Sequence, residues 1–180
     1  MFTLSTLKNS LLALSCLPLI SLPAIATSPP SPALTFLYTA YVECDGNLMR
    51  SEGPYGTRMT IPIVGGNFTG PHLSGTILNV GADWGVVDPQ TKIFSADTRY
   101  NLRTNDGEGI FIRTSGPTSP SGPLHLRLIF ETGSRKYYWL NHIIAIGTLT
   151  PVKLTATGST LRIDAWNMAS DWNSTSVIFD

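Results

Sequence analysis

The sequence predicts an all-β protein, a closed antiparallel β-barrel of about eight strands. From Leu34 onward, short segments rich in β-branched and aromatic residues alternate with clusters of Gly, Pro, Asn and Asp, a pattern typical of antiparallel sheets, sandwiches and barrels. The sequence shows no long amphipathic helix of the kind that connects parallel strands. Closure into a barrel would remove the exposed edge strands of such a sheet.

The first 26 residues predict a removable signal peptide. Lys8 precedes an apolar run from Leu11 to Ile25, and small residues at Ala24 and Ala26 suit a signal peptidase. The run is about 15 residues long and contains two prolines, whereas a membrane-spanning helix needs roughly 20 apolar residues. We therefore expect cleavage after Ala26, a secreted protein or one of the secretory-pathway lumen, and no stable membrane insertion. An uncleaved membrane anchor is the alternative.

What remains after cleavage predicts a Pro-rich flexible spacer over residues 27–33 and one β-barrel domain over residues 34–180. The whole chain carries 12 Lys plus Arg against 12 Asp plus Glu, so no global field attracts nucleic acid. Cys16 leaves with the signal peptide, and Cys44 is then a single cysteine that we expect to be a buried, inert thiol. Asn67 and Asn173 begin Asn-x-Ser/Thr sequons and are candidate glycosylation sites.

The predicted strands follow one another with short turns. The alternation is clearest from Phe94 to Arg103, where Phe94, Ala96, Thr98, Tyr100 and Leu102 share one face. Residues 134–142 predict a short helical or turn connection that packs aromatic side chains across one opening of the barrel. The strands are expected at Leu34 to Cys44, Arg58 to Val64, Leu73 to Val80, Phe94 to Arg103, Gly109 to Arg113, Leu124 to Glu131, Ile143 to Thr150 and Thr160 to Trp166.

Familiar catalytic signatures are missing from the sequence. It holds no Gly-x-Ser-x-Gly elbow, no phosphate-binding Gly-x-x-x-x-Gly-Lys and no His-Glu-x-x-His. The three histidines, His72, His125 and His142, lie far apart and do not have metal-ligand spacing. We therefore expect neither a metal nor a cofactor.

The segment from Gly81 to Trp84 is the first candidate site. Asp83 beside the indole of Trp84 could have a raised pKa and act as a general acid or base on a bound organic molecule, with Trp84 as a ligand contact. In the alternative, Gly81 marks a turn, Asp83 accepts backbone N–H groups there and Trp84 fills core.

Asp97 and Arg99 are the other catalytic candidates, because they share one face of a strand. If this face lines the lumen, Arg99 could hold a carboxylate or enolate oxygen while Asp97 orients it or moves a proton. If the face is outside, the two form an exposed pair of little energetic worth. Arg58 and Glu131 carry the same two alternatives, and Tyr138 and Trp139 either stack on a flat ligand or pack against the core.

A series of motifs in this order and spacing resembles the domain of unknown function 3237 family, also called uncharacterised protein family 0311. The resemblance covers about residues 34–147 and implies a closed antiparallel barrel broadly like the lipocalin-type cups, with no settled activity. It also implies recurrent polar residues at Arg58, Asp83, Asp97, Arg99, Asp106, Glu131 and Asn141, and Asn141 is on this basis a further candidate ligand contact. The motifs are Gly53-Pro54-Tyr55-Gly56-Thr57-Arg58, Gly65-Gly66-Asn67-Phe68-Thr69-Gly70-Pro71, Leu73-Ser74-Gly75, Gly81-Ala82-Asp83-Trp84, Asp97-Thr98-Arg99-Tyr100, Thr104-Asn105-Asp106-Gly107, Phe130-Glu131-Thr132-Gly133 and Tyr138-Trp139-Leu140-Asn141.

Three functions fit these observations. The first is a cofactor-free tailoring enzyme of secondary metabolism that uses Asp83 and Arg99 for cyclisation, isomerisation or proton transfer on a small apolar or aromatic ligand. The second is a non-catalytic extracellular carrier of such a ligand, in which aromatic stacking matters and no proton moves. The third is a structural or interaction protein that self-associates into a homo-oligomer.

Overall fold

The computed structural model describes residues 31–169, which form a closed antiparallel barrel of eight strands with one additional short strand. The predicted signal peptide, the first part of the predicted spacer and Asn173 lie outside the described residues. The strands are β1 (Ala33–Asp45), β2 (Met49–Gly53), β3 (Gly56–Thr69), β4 (Ser74–Val87), β5 (Phe94–Thr104), β6 (Gly109–Pro117), β7 (Leu124–Glu131), β8 (Ala145–Thr155) and β9 (Gly158–Ala169), and a 3₁₀-helix, Tyr138–His142, lies between β7 and β8.

The barrel closes through β1, which pairs with strands on both of its edges. Each strand from β3 to β9 pairs with the next in sequence, and β1 pairs with both β9 and β3. The β1–β9 ladder is the longer of the two and runs from Ala33 opposite Ala169 to Asp45 opposite Gly158. The predicted strand at Thr160 to Trp166 is confirmed within β9, and this part of the chain supplies the ladder that completes the ring.

The inner face of the barrel holds one continuous hydrophobic core. In β5 the predicted alternation is confirmed, since Ala96, Thr98, Tyr100 and Leu102 are buried and the residues between them are more exposed. Pairing partners on adjacent strands share a face, so these residues identify the inward register of their neighbours. The core includes Tyr38, Ile63, Phe68, Ile112, Leu128, Phe130 and Ile163.

The turn predicted at Gly81 is wrong, because β4 continues through it to Val87. The glycine has a φ of 116° and lies in a β-bulge. Ile77 lies opposite Leu102 and Gly81 opposite Tyr100, so β4 advances four residues while β5 advances two. A Cβ at Gly81 would overlap the carbonyl oxygen of Arg99. Asp83 and Trp84 are therefore consecutive strand residues that face opposite sides of the sheet.

Strand β2 was not predicted from the sequence. Its five residues, Met49–Gly53, are all exposed, so they carry no apolar alternation that would have indicated a strand. β2 pairs with the first part of β3, from Thr60 to Gly56, whereas β1 pairs with the later part, from Ile63 to Thr69. β2 thus extends the β1 edge of β3 beyond the barrel wall.

The 3₁₀-helix closes one end of the barrel, called here the lid end. Leu140 and Tyr137 are buried there against the core, which confirms the predicted short helical connection. The Tyr137 hydroxyl donates to Asp106 at 3.0 Å, and Lys136 Nζ lies 2.6 Å from the same carboxylate. Hydrogen bonds from Lys136 and from Thr104 hold the pKa of Asp106 well below its usual range. No helix within residues 31–169 is long and apolar enough to cross a membrane.

Gly66 is the backbone position at which we expect substitution to damage the fold most clearly. It has a φ of 132°, and an added Cβ would overlap the carbonyl oxygen of Tyr41 on β1. Gly66→Ala should therefore lower the free energy of unfolding by about 2–4 kcal/mol in urea denaturation. Gly109→Ala is the matched control, because its Cβ would meet no atom within 4 Å. Equal stabilities of the two variants would contradict this account of the close approach between β3 and β1.

Candidate functional site

Asp83 is the carboxylic acid that the fold places on the inner side of the barrel wall. It lies opposite Ile61 on β3 and opposite Thr98 on β5. Thr98 is buried, with 7% of its surface exposed, and Ile61 packs against the core. Because paired residues face the same side of a sheet, Asp83 also faces inward. It lies four residues before β4 ends at Val87, toward the end of the barrel opposite the lid.

Three hydrogen bonds hold the Asp83 carboxyl group. The backbone N–H of Asp97 donates to Asp83 Oδ1 at 2.9 Å. The Thr98 hydroxyl and the N–H of Gly85 also donate to it. Asp97 and Thr98 lie on β5 and Gly85 lies on β4, so the donors hold the carboxyl group between the two strands.

The Asp83 environment raises its pKa to about 6, mainly because burial disfavours the charged form. The three donors favour the carboxylate and oppose this shift, while the negative charge of Asp97 adds to it. A carboxyl group with such a pKa exists in both protonation states near neutral pH. It can thus give or accept a proton, as general acid–base catalysis requires.

Apolar side chains lie at the same end of the barrel as Asp83, on the inner side of the wall. Phe94 and Leu124, together with Ile61, are partly buried and pack against the core. A Cβ at Gly85 would overlap the ring of Phe94, so the glycine allows that ring to lie directly against β4. A ligand that reached Asp83 would meet these apolar side chains beside one titratable carboxyl group, and apolar walls with a few polar groups are the usual composition of a small-molecule site.

Cys44, Tyr100 and Tyr38 are the inner polar groups that sequence reasoning did not assign to the site. Cys44 is buried, as expected, and burial together with the charge of Asp83 raises the pKa of its thiol to about 11. The thiol is therefore neutral near pH 7 and is not a nucleophile there. Burial also raises the pKa of both tyrosines, and the charge that an ionised Cys44 would carry adds to the rise of the Tyr100 pKa.

Asp97 and Arg99 lie on the outer side of the wall, which is the second of the two alternatives that the sequence left open, and not in a lumen. Arg99 Nη1 is 3.4 Å from Asp97 Oδ2, and Arg113 Nη2 is 3.3 Å from Asp97 Oδ1. The Arg99 guanidinium also lies 5.9 Å from the ring centre of Trp84, which is 40% exposed. The physical reason is the alternation of β5, which buries Thr98 and Tyr100 and so turns their neighbours outward.

The remaining predicted ligand contacts are not brought to Asp83. Arg58 is exposed and donates from Nη1 to the carbonyl oxygen of Trp84 at 3.0 Å. Glu131 and Tyr138 are exposed, and Trp139 is half-buried, at the lid end. Asn141 bonds the backbone of Thr132 in both directions, accepting from its N–H and donating to its carbonyl oxygen, each at 2.9 Å.

Metal binding has no support in the part of the chain that the structure describes. Among residues 31–169, no group of three or more His, Cys, Asp or Glu side chains is arranged to hold a metal ion. Asn67 is exposed on β3, so its side chain is accessible for modification.

Comparison with known sequences identifies a family model and an enzyme among the relatives. Residues 32–127 match the model described as protein of unknown function (DUF3237). The hydroalkoxylation enzyme phnH of Penicillium herquei is 27% identical over 131 residues, which span 69% of this chain and 79% of that enzyme.

Solved structures with the same fold include a bacterial and a fungal protein. A β-barrel-like protein of Acinetobacter baumannii superposes with a TM-score of 0.66 and 33% identity, covering 78% of this chain and 98% of that one. An enzyme from Penicillium herquei superposes with a TM-score of 0.63 and 25% identity, covering 81% of this chain and all of that one.

The two hydrogen bonds between Asn141 and the Thr132 backbone predict that substitution of Asn141 affects stability only. Asn141→Ala removes both bonds to buried Thr132, and it should lower the free energy of unfolding by about 1–3 kcal/mol in chemical denaturation. Arg135→Ala, an exposed change in the same connection, is the control and should leave stability within about 0.5 kcal/mol. Unchanged stability of Asn141→Ala would return Asn141 to the ligand-binding candidates.

Asp83 predicts a pH dependence of stability with a defined sign. Its pKa in the fold, about 6, is higher than its usual value of 3.8, so the folded state binds more protons than the unfolded state between these values. The contribution of Asp83 to the free energy of unfolding is therefore greatest at low pH and is lost as the pH rises through about 6. Asp83→Asn cannot ionise and keeps an acceptor for the Asp97 N–H.

The measurement compares Asp83→Asn with the native chain in urea titrations from pH 4 to pH 7. The variant should gain roughly 2 kcal/mol relative to the native protein over this range. Glu108→Gln, at an exposed acid, is the control and should show no such trend. A difference between Asp83→Asn and the native chain that stays constant with pH would mean that Asp83 ionises as freely in the fold as in the unfolded chain.

Proposed function

This chain belongs to the DUF3237 family, and on that premise we propose that it is a small-molecule-binding barrel that catalyses proton transfer without a cofactor. The observation that carries the proposal is Asp83, an inward-facing carboxyl group among apolar side chains with a pKa of about 6. The shape expected for such a site is a lipocalin-like cup entered from the end opposite the lid.

The Penicillium relative supports a particular reaction class, because its name describes addition of an O–H group across a carbon–carbon double bond. Such an addition within one molecule is a cyclisation that leaves the composition unchanged. Protonated Asp83 gives its proton to one alkene carbon, the substrate's hydroxyl oxygen bonds to the other carbon, and the hydroxyl proton returns to Asp83. The carboxyl group is thereby regenerated, and no oxidant, reductant or metal is consumed.

The environment of Asp83 suits this role for two physical reasons. Hydrogen bonds to Asp97 N–H, Gly85 N–H and Thr98 keep the group in one position, so that little reorganisation is needed as its charge changes. The surrounding hydrocarbon raises its pKa and so keeps a fraction protonated at neutral pH. Asp97 takes part as a positioning residue, through its N–H and its charge, while Arg99 and Arg113 neutralise it from outside.

We propose in addition that the protein is exported into the secretory pathway. The predicted signal peptide and the accessible sequon at Asn67 support a protein that works in the secretory lumen or outside the cell. A catalyst there has no assured supply of cytosolic nucleotide cofactors, which agrees with a mechanism that needs only one carboxyl group. Tailoring of a secondary metabolite, the function expected from the sequence, fits both the relative and the site.

Non-catalytic carriage of a small apolar ligand is the second candidate. The observation that favours it is that Cys44 and both inner tyrosines stay neutral at pH 7, so within residues 31–169 these inner groups give Asp83 no charged catalytic partner. A carrier would use the same apolar surroundings and would not need the raised pKa.

Asp83→Asn separates the two candidates. We expect turnover of polyketide or terpenoid precursors that carry a hydroxyl group and an alkene to fall by at least about 100-fold, because general acid–base groups contribute about 10²–10⁴ to rate. The native enzyme should lose kcat/KM as pH rises through about 6, where Asp83 loses its proton.

Product formation is followed by liquid chromatography, with Glu108→Gln as the control at an exposed acid. Undiminished turnover in Asp83→Asn would remove Asp83 from the mechanism. Binding of the same precursors without turnover in the native protein would favour the carrier.

A further inference from the structure

Two phenol groups inside the barrel have no hydrogen-bond partner. Tyr38 and Tyr100 are 1% and 2% exposed, and the hydroxyl of each is buried without an acceptor or donor. Within residues 31–169 the only other buried side-chain polar atom without a partner is Oγ of Ser134, near the lid. Tyr137 shows the ordinary case, since its buried ring carries a hydroxyl that donates to Asp106.

An unpaired hydroxyl in a packed interior is unfavourable, because the group loses its bonds to water and gains none in return. Phenylalanine would fill nearly the same volume without this loss. Two such hydroxyls in one core therefore call for an explanation in terms of a polar atom that the protein chain itself does not supply.

The two phenols lie deeper in the barrel than Asp83, toward the lid end. Tyr100 follows Thr98 by two residues on β5, which places it about 7 Å further along the strand from the level of Asp83. On β1, Cys44 lies opposite Ile63, two residues beyond the Ile61 that lies opposite Asp83. Tyr38 precedes Cys44 by six residues on the same strand and lies toward the lid end, where its ring meets those of Phe68 and Phe130. The ionised form of Tyr100 would raise the pKa of Tyr38 further, which agrees with the two phenols being neighbours.

Two aromatic rings pack against Tyr38. The Tyr38 ring meets Phe68 edge to face at a centroid distance of 5.7 Å, and it meets Phe130 in the same way at 6.2 Å. Such walls suit a flat, unsaturated ligand, because edge-to-face contacts with further rings are favourable.

We propose that the hydroxyls of Tyr38 and Tyr100 form an oxygen-binding subsite, which holds a hydroxyl or carbonyl oxygen of the substrate while Asp83 acts nearer the entrance. This inference rests on the proposed function, in that both place the small molecule inside the barrel. Burial keeps both phenols protonated at neutral pH, so each presents an O–H donor. An oxygen with two lone pairs accepts both donors at once.

The subsite defines a substrate class. The substrate is a small, flat, largely apolar molecule of one or two rings with an oxygen at the end that enters first. The distance of about 7 Å along β5 from the level of Asp83 to Tyr100 is close to the length of one substituted ring. The reacting group then lies at the opposite end of the molecule, near Asp83.

The test uses 2-naphthol as the probe and naphthalene as the same ring system without the oxygen. Isothermal titration calorimetry should show that the native protein binds 2-naphthol more tightly than naphthalene. Tyr100→Phe and Tyr38→Phe should each weaken 2-naphthol binding by about threefold to tenfold, the effect of one lost hydrogen bond, and should leave naphthalene binding unchanged.

Thermal unfolding without ligand gives a second readout that a merely structural tyrosine would move in the opposite direction. Tyr100→Phe and Tyr38→Phe remove an unpaired hydroxyl and should raise the unfolding midpoint by roughly 2–6 °C. Tyr137→Phe removes a paired hydroxyl and should lower it. Tyr55→Phe, at a side chain that is 78% exposed, should change neither stability nor binding.

Several results would overturn the subsite. The first two are equal affinities of the native protein for the two probes and no binding of either probe. The third is unchanged 2-naphthol affinity in both Phe variants, which would mean that the two hydroxyls bind an internal water molecule only. Failure of the proposed function looks different. In that case Asp83→Asn retains full turnover, or no turnover is found, while Tyr100→Phe still weakens 2-naphthol binding selectively.

Discussion

The structure depends on the pairing of β1 with a strand on each of its edges. Without the β1–β9 and β1–β3 ladders the sheet would be open, and the inner face from Tyr38 to Ile163 would meet water. Closure produces an interior from which water is largely excluded, and the unusual properties of the inner polar groups follow from that exclusion. Burial is the main cause of the raised pKa at Asp83, at Cys44 and at Tyr100 alike.

Polar groups are unfavourable in a closed apolar interior unless they form hydrogen bonds. The inner polar groups of this barrel differ in that respect. Asp83 receives three hydrogen bonds from β4 and β5, which limit the rise of its pKa and leave it able to exchange a proton near pH 7. Tyr38 and Tyr100 receive none. The first arrangement is suited to proton transfer and the second to holding a polar atom of a ligand, so the two together describe a site in which one molecule is positioned and protonated.

The sequence predicted the barrel and most strands because the apolar alternation of β5 and β7 is unbroken. The same alternation could have placed Asp97 and Arg99 outside, since it buries Thr98 and Tyr100 between them. It could not place Asp83, because Ile77, Asn79, Gly81 and Asp83 give no apolar period across the bulge. Asn141 was recognised as part of a motif, yet its bonds to Thr132 depend on tertiary structure, as does the lack of partners at Tyr38 and Tyr100.

The most direct test of this account is the titration of the Asp83 carboxyl carbon by NMR in the folded protein, assigned by comparison with Asp83→Asn. The account predicts a midpoint near pH 6, well above the usual value of 3.8 for an aspartate. A midpoint near 4, the ordinary value for an aspartate in water, would contradict it. Asp83 would then be a solvated carboxylate, and the barrel interior would lack the proton-exchanging group on which the proposed function rests.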